Sequence, residues 1–180
     1  MIEQKVVYII PGFKQKPTNK AYKELAKMLK NEGYRPILIT IPWKEKTLSQ
    51  NAEFFLRTYH KIKTRKKYIL GFSFGAMIAF VASTKVSPSG LILCSLSPYF
   101  KEDVSSSPLH FATLAKQIKA KQVLLLYGAK EEKPLITRVR KAFDQISSKQ
   151  KYLISIREAK HDIADKRYLS TIHQATKVLH

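Results

Sequence analysis

The chain is short of cysteine, of acidic residues and of any long apolar run, and each shortage excludes something. With Cys94 alone in 180 residues, no internal disulfide can form. Its neighbours Leu91, Ile92 and Leu93 mark it as a small hydrophobe of a buried strand. No apolar run is long enough to span a bilayer, and Met1 to Pro11 lacks a basic stretch ahead of its apolar one. A soluble, reducing, cytoplasmic setting is therefore expected. No glycine-rich G-x-G-x-x-G or P-loop follows any apolar strand, which argues against a nucleotide-binding protein. The histidines His60, His110, His173 and His180 show no metal-ligand spacing, so neither metal nor cofactor is expected.

The scarcity of acids leaves 13 Asp and Glu against 33 Lys and Arg, a formal charge of +20. Such a field favours anionic partners, whether nucleic acid, acidic headgroups or phosphate-bearing molecules. The basic residues are spread along the chain rather than gathered, and read mainly as a solvated surface. The densest cluster, Lys61 to Lys67, follows an expected helix, where cations complement the helix dipole. Weak contact with anionic polymers or a membrane surface is the partner expectation that charge alone supports. Oligomeric state is not legible.

The apolar pattern alternates between strands and helices along the whole length, with no repeat, low-complexity tract or linker, so residues 1–180 read as one domain. Strands are expected at Val6 to Ile10, Pro36 to Ile41, Tyr68 to Leu70, Leu91 to Ser95, Val123 to Tyr127 and Tyr152 to Ile156. Between them, helices are expected after a Thr18 cap, after a Thr47/Gln50 capping box, from Phe74, over Leu109 to Ile118, over Leu135 to Ile146, and from about Asp165 to Leu179. Six such alternations imply a three-layer α/β sandwich, with helices on both faces of a mostly parallel six-stranded sheet. In such sheets a site forms beyond the carboxyl ends of the strands.

That is where the chemically capable residues fall. Gly71-Phe72-Ser73-Phe74-Gly75 joins an apolar strand to an apolar helix, the context of a nucleophile elbow. Its tip requires a strained serine backbone, and its tightness leaves no room for a Cβ at Gly71 or Gly75. The helix that starts beside Ser73 points unpaired N–H groups at any oxyanion formed there. Glu131 and Glu132 follow the fifth strand and His161 follows the sixth, so the order is serine, acid, histidine. A serine hydroxyl becomes a nucleophile when an imidazole takes its proton, and a carboxylate fixes the tautomer of that imidazole. Three residues after Gly128, Glu131 is the favoured acid; Glu132 and Asp103 are alternatives. Asp162, beside His161, is placed to cap the next helix. Oxyanion donors are expected from the N–H of Phe74 and from the Pro11-Gly12-Phe13 turn, with Gly12 allowing close approach and Phe13 offering its N–H.

With its Gly-containing turn at Pro11 to Phe13, the elbow at Ser73, the Gly128-to-Glu131 turn and the His161-Asp162 loop, the chain resembles a small α/β-hydrolase over almost its full length. It is similar to the minimal members that lack a cap domain. The resemblance implies that the Pro36 strand lies at one edge, the Val6 strand next to it, and the elbow strand in the middle. It also implies a serine hydrolase acting on a small carboxylic ester or thioester through an acyl-enzyme intermediate. Phe13, Trp43, Phe72, Phe74, Tyr99 and Phe100 would then lie near the mouth and favour an apolar or aromatic acyl group. A Glu stands where that family more often has Asp, which keeps the identity of the acid open. The competing expectation is a non-catalytic binding protein on the same scaffold, using its basic surface on an anionic partner.

Overall fold

In the computed structural model, residues 4–44, 47–97 and 108–179 are described, the side chains of 108–110 excepted. One six-stranded sheet is built from β1 (Lys5–Ile10), β2 (Tyr34–Leu38), β3 (Lys67–Phe72), β4 (Gly90–Cys94), β5 (Gln122–Gly128) and β6 (Gln150–Ile156). Its order is β2-β1-β3-β4-β5-β6, and every neighbouring pair is parallel. The expected placement of the first three strands holds, and the sheet is wholly rather than mostly parallel.

Both faces of the sheet are buried, which is why its central strands are continuous apolar runs. Side chains alternate between faces along each strand. Val6, Tyr8 and Ile10 join a core with α2 (Leu48–Lys61), α3 (Phe74–Ala82), α4 (Pro108–Lys116) and α5 (Lys133–Gln145). Val7 and Ile9 face the opposite core, formed with α1 (Lys20–Asn31) and α6 (Lys166–Thr176).

Three local expectations need correction. Strand β2 starts two residues before Pro36 and ends at Leu38, because its register on β1 runs only from Lys5↔Tyr34 to Ile9↔Leu38. Pro36, which has no N–H to donate, is tolerated because β2 is an edge strand. Helix α1 is entered through Asn19, not capped by Thr18. Asp162 does not cap α6: its Oδ1 accepts from Ala164 N at 2.9 Å within the loop, and Asp165 caps the helix by accepting from Arg167 N at 2.9 Å. The Thr47/Gln50 capping box is present at the start of α2.

One member of the basic cluster is not a surface charge. Lys67 is buried, and its Nζ donates to Tyr59 O at 2.8 Å and lies 4.2 Å from the centroid of the Tyr59 ring. It satisfies a carbonyl in the last turn of α2, where the helix dipole favours a cation.

Candidate active site

Strand β3 passes into α3 at Ser73, whose backbone stands at φ 55° and ψ −118°. A side chain in that region is strained. Its backbone is held on both sides: Ser73 N donates to Cys94 O at 2.8 Å, and Ser73 O accepts from Ala76 N at 3.0 Å, Met77 N at 3.3 Å and Ser97 N at 3.5 Å. The glycines on either side are sterically required. A Cβ on Gly71 would lie 2.3 Å from Gly75 O, and one on Gly75 would lie 2.3 Å from both Ile10 O and Pro11 O. The elbow therefore packs directly on the end of β1, which brings the Pro11-Gly12-Phe13 turn alongside Ser73.

The acid and histidine loops are tied together before any side chain is considered. Ala129 N donates to Ile156 O and Lys130 N to Ala159 O, each at 2.9 Å, and Lys130 pairs with Glu158. A Cβ on Gly128 would lie 2.3 Å from Ala159 O, so this crossing needs a glycine. The result brings three side chains into line. His161 Nε2 is 2.9 Å from Ser73 Oγ, and His161 Nδ1 is 3.3 Å from Glu131 Oε1. The Glu131 side chain is fully buried, whereas that of His161 is 40% exposed. With Nδ1–H facing a carboxylate, the neutral ring presents Nε2 as the acceptor for the serine proton.

Among the candidate acids, Glu131 is the one that meets His161. Glu132 is exposed at the residue that opens α5, and Asp103 lies outside the described residues, as do Tyr99 and Phe100. In the turn after β1 the two N–H groups differ. Gly12 N–H is already engaged, by Gln15 Oε1 at 3.1 Å and Tyr22 OH at 3.0 Å, so Gly12 shapes the turn instead of donating to a ligand. Among the described residues nothing accepts from Phe13 N–H. Phe74 opens α3 directly after Ser73, so its N–H belongs to the first turn of that helix.

The aromatic residues also separate. Phe13, Trp43 and Phe74 form a cluster with centroid separations of 5.6 to 5.9 Å, and the Phe13 ring is 55% exposed. Phe72 stands against the imidazole. It is buried, lies 5.0 Å from the His161 ring and meets Tyr168 edge-on at 5.9 Å, forming a floor beneath the imidazole.

Two residues in this region escaped sequence reading. Ser95, just past β4, and Tyr168, on α6, both bond Glu131 Oε1, at 2.5 and 2.9 Å. Ser95 had a signal available, being a polar residue that ends an apolar strand at the same sheet edge; Tyr168 had none beyond its helical position.

The sequence matches no protein-family model and no curated protein sequence. Solved structures do match. Est1E from Butyrivibrio proteoclasticus superposes with a TM-score of 0.77 at 16% identity, covering 98% of this chain and 86% of that one. Alpha/beta hydrolase domain-containing protein 10 from mouse gives 0.79 at 14%, covering 99% and 91%. A monoacylglycerol lipase from Paleococcus ferrophilus gives 0.78 at 13%, covering 97% and 94%.

Proposed function

We propose, for a chain whose fold is that of the α/β-hydrolases, that it is a serine hydrolase of small carboxylic esters or thioesters. The observation that carries this reading is the 2.9 Å approach of His161 Nε2 to Ser73 Oγ at a strained elbow, with a buried carboxylate 3.3 Å from the other ring nitrogen. A structural serine has no need of a strained backbone directed at an imidazole.

In this reading Ser73 Oγ attacks the carbonyl carbon as its proton passes to His161 Nε2, while Glu131 stabilises the imidazolium. The negative charge that develops on the carbonyl oxygen is met by the N–H groups of Phe74 and Phe13. Collapse expels the alcohol or thiol, which takes the proton from His161. Water then attacks the acyl-serine with His161 as base, which releases the acid and restores the serine. The Phe13–Trp43–Phe74 cluster adjoins the attacked carbon and favours an apolar or aromatic acyl group. A choice of ester substrates agrees with the structural likeness to a monoacylglycerol lipase, by its name an ester-cleaving enzyme.

Fluorophosphonate labelling tests the proposal without knowledge of the substrate. The probe is expected to modify Ser73, with mass mapping to identify the site. Ser73→Ala should abolish labelling, and His161→Ala should slow it about 10³-fold or more, the scale on which triad members act. Labelling that persists in Ser73→Ala, or none on folded wild-type protein, would overturn the assignment.

A further inference from the structure

Glu131 is held in an unusual way for a buried carboxylate. Its Oε2 is buried with no hydrogen-bond partner among the described residues, and every donor converges on Oε1. These donors are Ser95 Oγ–H at 2.5 Å, Tyr168 O–H at 2.9 Å and the His161 Nδ1 side at 3.3 Å. The two hydroxyls are also in direct contact with each other. Ser95 reaches this position through a strained backbone of its own, φ 52°, with its N–H fixed to Leu126 O at 2.8 Å. The sheet edge thus carries two left-handed serines on adjacent strands, one against the imidazole and one against the carboxylate.

We propose that Tyr168 and Ser95 are positioning residues: their hydroxyls hold the Glu131 carboxyl with Oε1 aligned on His161 Nδ1, and through that contact hold the imidazole in place against Ser73. This inference rests on the serine-hydrolase reading above. A buried carboxylate that lacks partners on one oxygen depends on the donors of the other, because hydrogen bonds to a charged group are the strong ones and an unmet charge is costly. Apart from Glu131 and each other, the two hydroxyls have no hydrogen-bond partner among the described residues. The Tyr168 ring packs on Phe72 and would do so equally well as phenylalanine. Burial, followed by the charge of Glu131, pushes the Tyr168 phenol far upward, so it keeps the proton it donates.

Among the described residues, the ionisable groups shown to act on the carboxylate or to be acted on by it are His161, Tyr168 from α6 and Cys94 from β4; Lys130, paired with Glu158, and Glu132 are its chain neighbours. The Cys94 thiol is pushed upward by burial and by Glu131, so neither it nor Tyr168 titrates near neutrality. Neither therefore accounts for an acid limb in a rate profile. In general, removing a hydrogen bond to the charged form of a carboxyl group disfavours that form, so loss of a donor from this cluster moves an acid limb to higher pH.

The test is the second-order rate of fluorophosphonate labelling at Ser73 between pH 5 and 9. Tyr168→Phe and Ser95→Ala are each expected to slow labelling about tenfold at pH 6, since a hydrogen bond to a charged group is worth at least one decade. Each should also shift the acid limb upward. In a Glu131→Gln background, Tyr168→Phe should have no further effect, whereas a packing role would add its cost again. Thermal melts of each variant identify simple unfolding. An unmoved acid limb in both folded single variants, or an equal loss in the Glu131→Gln background, overturns the inference while leaving Ser73 as nucleophile. Absence of labelling on the wild type overturns both.

Discussion

At Ser73 the backbone adopts a conformation that a non-glycine residue enters at a cost of about 1–3 kcal/mol. This strain is a local stability deficit that the elbow holds against the packing of Gly71 and Gly75. Ser73→Gly should therefore be more stable than the wild type although it lacks the hydroxyl. Relief of strain exceeds the roughly 0.4–1 kcal/mol that the freer unfolded chain takes back. A net gain of about 1 kcal/mol corresponds to about 2–4 °C in Tm for a chain of this size. Ser73→Ala keeps the strained φ and should gain nothing, so calorimetry on the pair separates strain from loss of the hydroxyl. An unstrained elbow would show Ser73→Gly melting below Ser73→Ala. At this scale the candidate site was legible where chemistry and chain position coincide: the elbow pentapeptide and the polar residues at strand ends point to Ser73, Glu131 and His161 as candidates. What remained hidden depends on directions that spacing does not encode. Gly12 turns its N–H inward to Gln15 and Tyr22, Phe72 faces down beneath the imidazole, and Tyr168 reaches Glu131 from a helix 37 residues further along.

Among the elements, the helices α1 and α6 cover one face of the sheet, and the end of one is tied to the side of the other. Glu32, at the C-cap position of α1, accepts from His173 Nε2 at 2.8 Å and lies 3.7 Å from Lys177 Nζ. The His173 hydrogen bond, with Lys177 assisting, holds the Glu32 carboxyl below its ordinary value of 4.5. A carboxylate with a lowered folded pKa contributes stability that is present above the unfolded value and disappears as pH falls through the folded one. Glu32→Gln should therefore melt slightly below the wild type at pH 6, and the gap should close as pH falls below 4.5. A gap that persists unchanged at pH 3 would mean that the variant acts through packing instead. Because α6 also carries Tyr168, this tie fixes the helix that presents one donor to Glu131. Interior elements were the easiest to read in advance, since burial on both faces writes an uninterrupted apolar run into β1, β3, β4 and β5. The edges were harder. β2 extends only as far as its single neighbour pairs with it, and β6 begins at Gln150, two residues before its apolar stretch.

Across the whole molecule the excess of 33 basic over 13 acidic residues gives a net charge of +20 and with it a positive field around the protein. Lys14 stands with its Nζ 5.1 Å from the centroid of the exposed Phe13 ring, so part of that potential lies beside the proposed oxyanion turn. A field of this kind acts on encounter more than on chemistry, and it fades as salt shortens the Debye length from about 30 Å at 0.01 M to about 8 Å at 0.15 M. Two esters with the same leaving group, one with a neutral acyl group and one bearing a carboxylate, isolate the effect. The ratio of kcat/KM for the anionic over the neutral ester should be highest near 10 mM salt and should decline steadily by 300 mM, with kcat almost constant for both. Lys14→Glu should flatten that decline without altering the rate on the neutral ester, because the residue adds charge near the mouth but supplies no group to the reaction. A ratio independent of salt would mean that the charge serves the surface as a whole, and that selection among acyl groups rests on the Phe13–Trp43–Phe74 cluster alone.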